Sequence, residues 1–198
     1  MAAMVVACAS MLHSTAAPTA KNTTTGWQPC PSSISSKVDC IDISVPLDYD
    51  HPHGESISLK LLRLNALNQN ARVGSLVFQF GGPGVVGSTA LLDVLEDLTP
   101  AAFGGFVEYF DIVIADPRGV GINHAVECDP KYEGMKLNWL PRNEDEYTKE
   151  ITAFQKMGES CVERTGKIIN YMDSMIQARD LEAVRIAIGE GGLNYCNV

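Results

Sequence analysis

The chain has 198 residues, 45% of them hydrophobic and 20% charged, a make-up that suits a globular protein long enough for one core. Its 15 Lys and Arg against 24 Asp and Glu give a formal net charge of -9, with no basic run. That balance excludes an electrostatic surface for nucleic acid or an anionic membrane and serves solubility instead.

The start, MAAMVVACASMLHSTAAPTA, is apolar from Ala2 to Leu12 and then small and polar. The run is too short to span a bilayer, which takes about 20 residues. It reads as a signal peptide over residues 1–20, without the usual basic residue in front, with Ala16, Ala17 or Ala20 as cleavage points. A mature domain over 21–198, secreted from the cell, is the expectation. Asn22-Thr23-Thr24 is an N-glycosylation sequon just past the cut. None of the cysteines forms a C-x-x-C pair and no His stands at zinc-finger spacing, so no metal site is expected. In an oxidising compartment the expected disulfides are Cys30–Cys40 and Cys128–Cys161, with Cys8 leaving in the leader and Cys196 odd. The alternative is a set of buried thiols.

Further along, Ile41 to Val45 and the alternating Ile57, Leu59 and Leu61, continuing to about Leu64, read as a two-stranded unit. The turn-rich DYDHPHGE joins them, and its His51 and His53 read as solvated rather than as metal ligands or a base. Ser75 to Phe80 is the next strand. A helix from about Thr89 to Leu98 follows, with Ser88 as N-cap, Leu91, Leu92, Leu95 and Leu98 on its apolar face, and Pro100 as the stop. The continuous apolar stretch Ile112 to Ala115 suits a strand buried on both faces. Strand, helix, strand at this spacing is a parallel crossover. Asn143 and Glu146 form a capping box for a helix ending near Gly158, and a second helix spans Ser174 to Ile188, with Gly189 as its stop. LNYCNV begins another strand. The fold class is α/β: an antiparallel strand pair, then a parallel β-α-β unit.

Between strand and helix, Gly81-Gly82-Pro83-Gly84 brings backbone N–H groups close to a ligand, because no Cβ stands in the way. Ahead of a helix N-terminus, such amides suit developing negative charge, as an oxyanion hole requires.

Five segments in order, WQPC, VPLDYDHP, SLVFQFGGPGVVGS, FDIVIADPRGVG and ARDLEAVRIAIGEGGLNY, resemble the secreted tripeptidyl aminopeptidases and proline-iminopeptidase-like members of the α/β-hydrolase superfamily. The resemblance covers roughly Trp27 to Tyr195. It implies a serine hydrolase that acts on peptide substrates near free N-termini through a Ser-Asp-His triad, without cofactor. It also implies that Gly82 donates an oxyanion amide, while Gly81 and Gly84 allow the turn. Asp116 and Arg118 would brace loops under the site, a surface ion pair being the alternative. Asp180 and Arg185 match family positions of structural role.

In that family the fifth strand runs into a G-x-S-x-G nucleophile elbow. Here Asn197 holds the place of the first glycine, Val198 follows, and the serine would come next. No G-x-S-x-G occurs in the 198 residues. The family's Asp and His lie beyond the nucleophile, so His13, His51, His53 and His124 do not inherit their roles. Cys196 has no assignable base. The expectation is an incomplete α/β-hydrolase domain, cut before the elbow, holding no catalytic triad and inactive alone. Its third family strand, VFQF, would lie at a sheet edge and invite self-association. A non-catalytic secreted binding or regulatory protein derived from a hydrolase is the alternative. A dinucleotide-binding domain ranks last, because GGPGVVGS lacks G-x-G-x-x-G.

Overall fold

A computed structural model of the chain describes residues 7–11, 26–82, 84–132 and 140–197. Its strands are β1 (Ala7–Met11), β2 (Gln28–Pro29), β3 (Asp39–Pro46), β4 (Ser56–Leu64), β5 (Gly74–Gln79), β6 (Phe110–Ile114) and β7 (Leu193–Asn197); its α-helices are α1 (Gly87–Val94), α2 (Glu144–Thr165) and α3 (Ser174–Ile188). The sequon at Asn22, the cleavage points, His13 and Pro83 lie outside the described residues.

Alternation in sequence becomes alternation in space. Ile41, Ile43 and Val45 of β3 are buried, and their register against Leu61, Leu59 and Ile57 of β4 closes an antiparallel pair. Asp42 on the outer face meets Lys60 at 2.7 Å. β5 carries no such alternation, since Ser75 to Phe78 are all buried. Leu76 and Phe78 pack in a cluster with Leu91 of α1, whereas Val77 packs in a second cluster with Val184 of α3. A helix on each face leaves no side of this strand for water, and hence its continuous apolar run.

The sheet order is β1-β7-β5-β6-β4-β3-β2, with β5 parallel to both β6 and β7. This corrects the expectation that VFQF lies at an edge. Leu193–Asn197 completes a strand whose backbone pairs with Leu76 to Gln79, so β5 is interior. The outer strands are β1 and β2, and β1 comes from within the segment of leader-like composition.

The other expectations on elements hold with shifts. α1 begins at Gly87, with Val86 as N-cap and no side-chain cap, so Ser88 is not the cap. After Val94 the chain tightens into a 3-10 turn over Leu95–Asp97. At α2, Asn143 Oδ1 accepts the Glu146 N–H at 2.9 Å, but Glu146 turns its carboxylate to the Arg142 N–H instead of closing a reciprocal box. The helix passes through Gly158 and runs to Thr165, clamped at its last turns by the Cys128–Cys161 disulfide. Asp173 caps α3 by accepting from the Met175 and Ile176 N–H groups, and Gly189 ends it with φ 79°. Cys30–Cys40 is the other bridge with both partners described. Cys196, expected odd, is disulfide-bonded and fully buried in β7.

A polar cluster ties the N-terminal ends of the parallel strands together. Glu190 accepts from Ser75 N–H at 2.8 Å, from the Ser75 hydroxyl at 3.0 Å and from Arg72 at 2.7 Å, while Arg72 also reaches Asp111 at 2.9 Å. Burial opposes ionisation of Glu190, but these three donors outweigh it and hold the carboxyl below its usual value. A depressed carboxyl pKa stabilises the fold above the unfolded value of about 4.5 and loses that contribution as pH falls through the folded value. Thermal melting should therefore be flat from neutral pH down to about 5 and fall below that, and Glu190→Gln should lower Tm at neutral pH while flattening the acid limb.

Candidate active site

In an open parallel sheet, ligands sit beyond the carboxyl ends of the strands, and here two loops meet there: Phe80–Val86 after β5 and Ala115–Val126 after β6. The link between them is Asp116. Its carboxylate accepts the Ser88 N–H at 3.0 Å and the Ser88 hydroxyl, and lies 3.5 Å from the Ile122 N–H. Ser88, one residue into α1, spends its hydroxyl here rather than on a cap. Asp116 and Ser88 are 4% and 2% exposed, so these bonds form out of water, where leaving the carboxylate unpaired would be costly.

Two glycines make room for that carboxylate. A Cβ on Gly121 would sit 2.3 Å from Asp116 Oδ2 and 2.6 Å from a Val86 methyl, and its φ of +55° is itself one that side chains disfavour. A Cβ on Gly87 would meet Ile114, Phe80 and Asp116 at 3.1 to 3.3 Å. The corner therefore seats directly on the β6 loop. Gly84 adopts φ +86° in open space, so it supplies the turn, whereas a Cβ on Gly82 would press on the Val85 side chain at 2.9 Å. Gly82 is exposed and Gly81 half-buried. Neither donates its N–H to a described residue.

Arg118, two residues on, points away from this carboxylate and is fully buried. All five of its N–H groups are used. Two go to Asp180 of α3 at 2.7 Å, and the others reach the carbonyls of Pro46, Leu47 and Tyr171 at 3.0, 2.8 and 3.3 Å. Asp180 also accepts the Tyr49 hydroxyl at 2.8 Å. Burial, then the Asp180 charge, push the Tyr49 pKa far up, so that it stays a donor. The alternative of a surface ion pair between Asp116 and Arg118 is thus corrected: both are buried and each has a different partner. Arg185 instead pairs with Glu182 within α3 at 2.8 Å.

Three contributors escaped the sequence reading. Asn123 is buried and bonds both the N–H and C=O of Lys60 as well as the Asp116 carbonyl, which sews the β6 loop to β4. The Tyr195 hydroxyl of β7 lies 2.6 Å from Gln79 Oε1 at the end of β5. Ser88 is the third. A polar residue in a turn carries no sign of its distant partner, and only the fold supplies it. Conversely, His51 is exposed on the β3–β4 turn beside Asp48 at 2.7 Å, and His124, with φ 58°, touches the Ser58 carbonyl. Neither joins the corner. A groove of about 540 Å3 lined by His124, Glu127, Arg164 and Lys167 includes none of Gly81, Gly82 and Gly84, so strand topology, not cavity size, locates the site. Among the described residues no group of acids, His and Cys is placed to hold a metal.

Comparison with known proteins finds similar sequences among peptidases and esterases. The chain is 31% identical over 178 residues to a tripeptidyl aminopeptidase of Streptomyces coelicolor, a match that covers 87% of this chain and 32% of that protein. It is 34% identical over 182 residues to the serine protease Hip1 of Mycobacterium tuberculosis, covering 85% and 33%. The chain belongs to the α/β-hydrolase-like serine peptidases. A carboxylesterase B of Mycobacterium tuberculosis is similar at 29% identity over 172 residues, so the kinship reaches esterases too. No family model matches. The chain spans about a third of the length of the relatives it matches.

Two substitutions test the buried links. Arg118→Met leaves Asp180 buried without its cation and should cost about 3–5 kcal/mol in urea denaturation, of which Asp180→Asn in the same chain restores a part. Gly121→Ala should be at least as disruptive as an ordinary core change and should lower Tm more than Gly158→Ala, a helix position with open space around it.

Proposed function

We propose that this chain forms the oxyanion side of the acyl-transfer site of a secreted serine exopeptidase, one that cleaves peptide bonds near free N-termini, and that the 198 residues alone do not turn over substrate. The observation that carries the reading is the seating of the glycine corner. Asp116 holds the first turn of α1 on the β6 loop, and the Gly81 and Gly82 amides stand at the carboxyl ends of the parallel strands with no described acceptor. Kinship with a tripeptidyl aminopeptidase and a serine protease supplies the reaction class.

On this reading Gly82 donates its N–H to the carbonyl oxygen as it becomes tetrahedral, with Gly81 and Gly84 shaping the loop. Asp116 and Arg118 are positioning residues that never touch substrate. An amide fixed before the reaction begins needs no reorganisation as charge develops, and one such donor is worth about 3 kcal/mol. The attacking hydroxyl and its base have no counterpart among these residues: the sequence holds no G-x-S-x-G, and among the described residues His51 and His124 pair with Asp48 and the Ser58 carbonyl rather than with the corner. Residues 1–20 act as the secretion signal and 21–198 as an incomplete α/β-hydrolase domain. Disulfides at Cys30–Cys40 and Cys128–Cys161 fit an oxidising destination, and among the described residues no helix is long and apolar enough to cross a membrane.

A fluorophosphonate probe should leave the purified chain unlabelled, and a tripeptide-releasing substrate should remain intact; covalent labelling would overturn the inactivity. The positive test is a chimera in which residues 26–197 replace the matched part of the Streptomyces coelicolor enzyme. It should be active, and Gly82→Pro in it, which removes the N–H, should lower kcat about 100- to 1000-fold with little change in KM. A folded chimera indifferent to that change sinks the oxyanion assignment.

A further inference from the structure

The glycine corner is held at its far end by Asp116, through Ser88 of α1. Its near end is held by a different strand. β5 pairs with β6 only as far as Val77 opposite Val113, whereas its last two residues, Phe78 and Gln79, pair with Cys196 and Asn197 of β7. Where the corner begins, β5 therefore has β7 as its one strand partner. Across that pairing the Tyr195 hydroxyl donates to Gln79 Oε1 at 2.6 Å, and among the described residues no other side-chain hydrogen bond reaches positions 79–86.

The surroundings keep this bond made. Tyr195 is half-buried, with its ring packed in the same cluster as Val77 and Val184, so the core already fixes the group that carries the hydroxyl. Burial pushes its pKa up, which retains the proton it donates. Phe80 packs against Phe78 and Phe103 in the layer toward α1, but ring contacts tolerate a sliding that a short, directional hydrogen bond does not.

We infer that Tyr195 is a positioning residue for the oxyanion corner: through Gln79 it fixes where the Gly81 and Gly82 amides stand. What it does to the reaction rests on the function proposed above, while what it does to the corner rests on geometry alone. A donor moved by a fraction of an ångström from the developing charge loses much of its worth.

Tyr195→Phe keeps the ring and deletes the bond. In the intact 198-residue chain it should shift the amide NMR signals of Gly81 and Gly82, while those of Ser88 and Ile122, which face Asp116, stay in place. In the chimera with the Streptomyces coelicolor enzyme it should lower kcat about 10-fold with KM unchanged. Gln79→Met, which removes the acceptor, should do the same, and the two changes together should cost no more than either alone. On top of Gly82→Pro, Tyr195→Phe should change kcat by less than about 2-fold, because the amide it positions is gone; a general loosening of the fold would lower kcat in both backgrounds. The inference is overturned if the Gly81 and Gly82 signals do not move, if kcat of the active chimera is unchanged, or if the two losses add in full on Gly82→Pro. A Gly82→Pro chimera with undiminished kcat instead sinks the oxyanion reading and the kcat claim with it, and the Gly81 and Gly82 signals then decide the positioning by themselves.

Discussion

The short turn after β6 holds this molecule together because it sends two opposite charges to two different places. Asp116 turns toward the corner and fixes the start of α1, while Arg118 turns into the body of the protein and fixes α3 and the start of the β3–β4 connection. A carboxylate and a guanidinium taken out of water are tolerable only when their bonds are fully made. Here they are, and each therefore dictates the position of whatever it touches. The glycines of Asp-Pro-Arg-Gly-Val-Gly are the steric complement: a side chain at Gly121 would occupy the space that Asp116 Oδ2 and Val86 already fill.

The interior place of β5 converts that local lock into a defined site. With β6 on one side and β7 on the other, the end of β5 cannot shift without breaking two parallel ladders. Phe78 and Phe80 pack with Phe103 beneath the corner, and Tyr195 meets Gln79 across it. At the opposite end of the same strands, Glu190, Arg72 and Asp111 form a second polar cluster. The parallel core is thus pinned at both ends, and the apolar layers contributed by Leu91 and Val184 hold it between.

Much of this was legible along the chain, for reasons that can be assigned. Period-two burial marked β3 and β4, the unbroken apolar run Ile112 to Ala115 marked β6 as covered on both faces, and the Asn143 and Gly189 positions marked helix ends. The turn after β5 was legible because three glycines and a proline break a buried apolar run. Legibility failed where a residue's role depends on something far away. Ser88 looked like a cap because hydroxyls before helices usually are, yet a carboxylate 28 residues later claims it. Gly158 looked like a stop, but a disulfide from Cys161 to Cys128 holds the helix past it. VFQF looked like an edge because the fifth family strand was expected to be missing, but Leu193–Asn197 forms it beside β5.

Composition, periodicity and glycine placement are local quantities, so the sequence by itself determined the class of fold, the strands and helices, and the glycine turn between β5 and α1. Partner choice is not local. That Asp116 meets Ser88, that Arg118 meets Asp180 and Tyr49, that Asn123 sews to Lys60, and that β7 shields β5 were all decided by tertiary structure. These pairings depend on which backbones the twisted sheet and its helix layers bring within about 3 Å, the reach of a hydrogen bond, and no spacing along the chain encodes that distance.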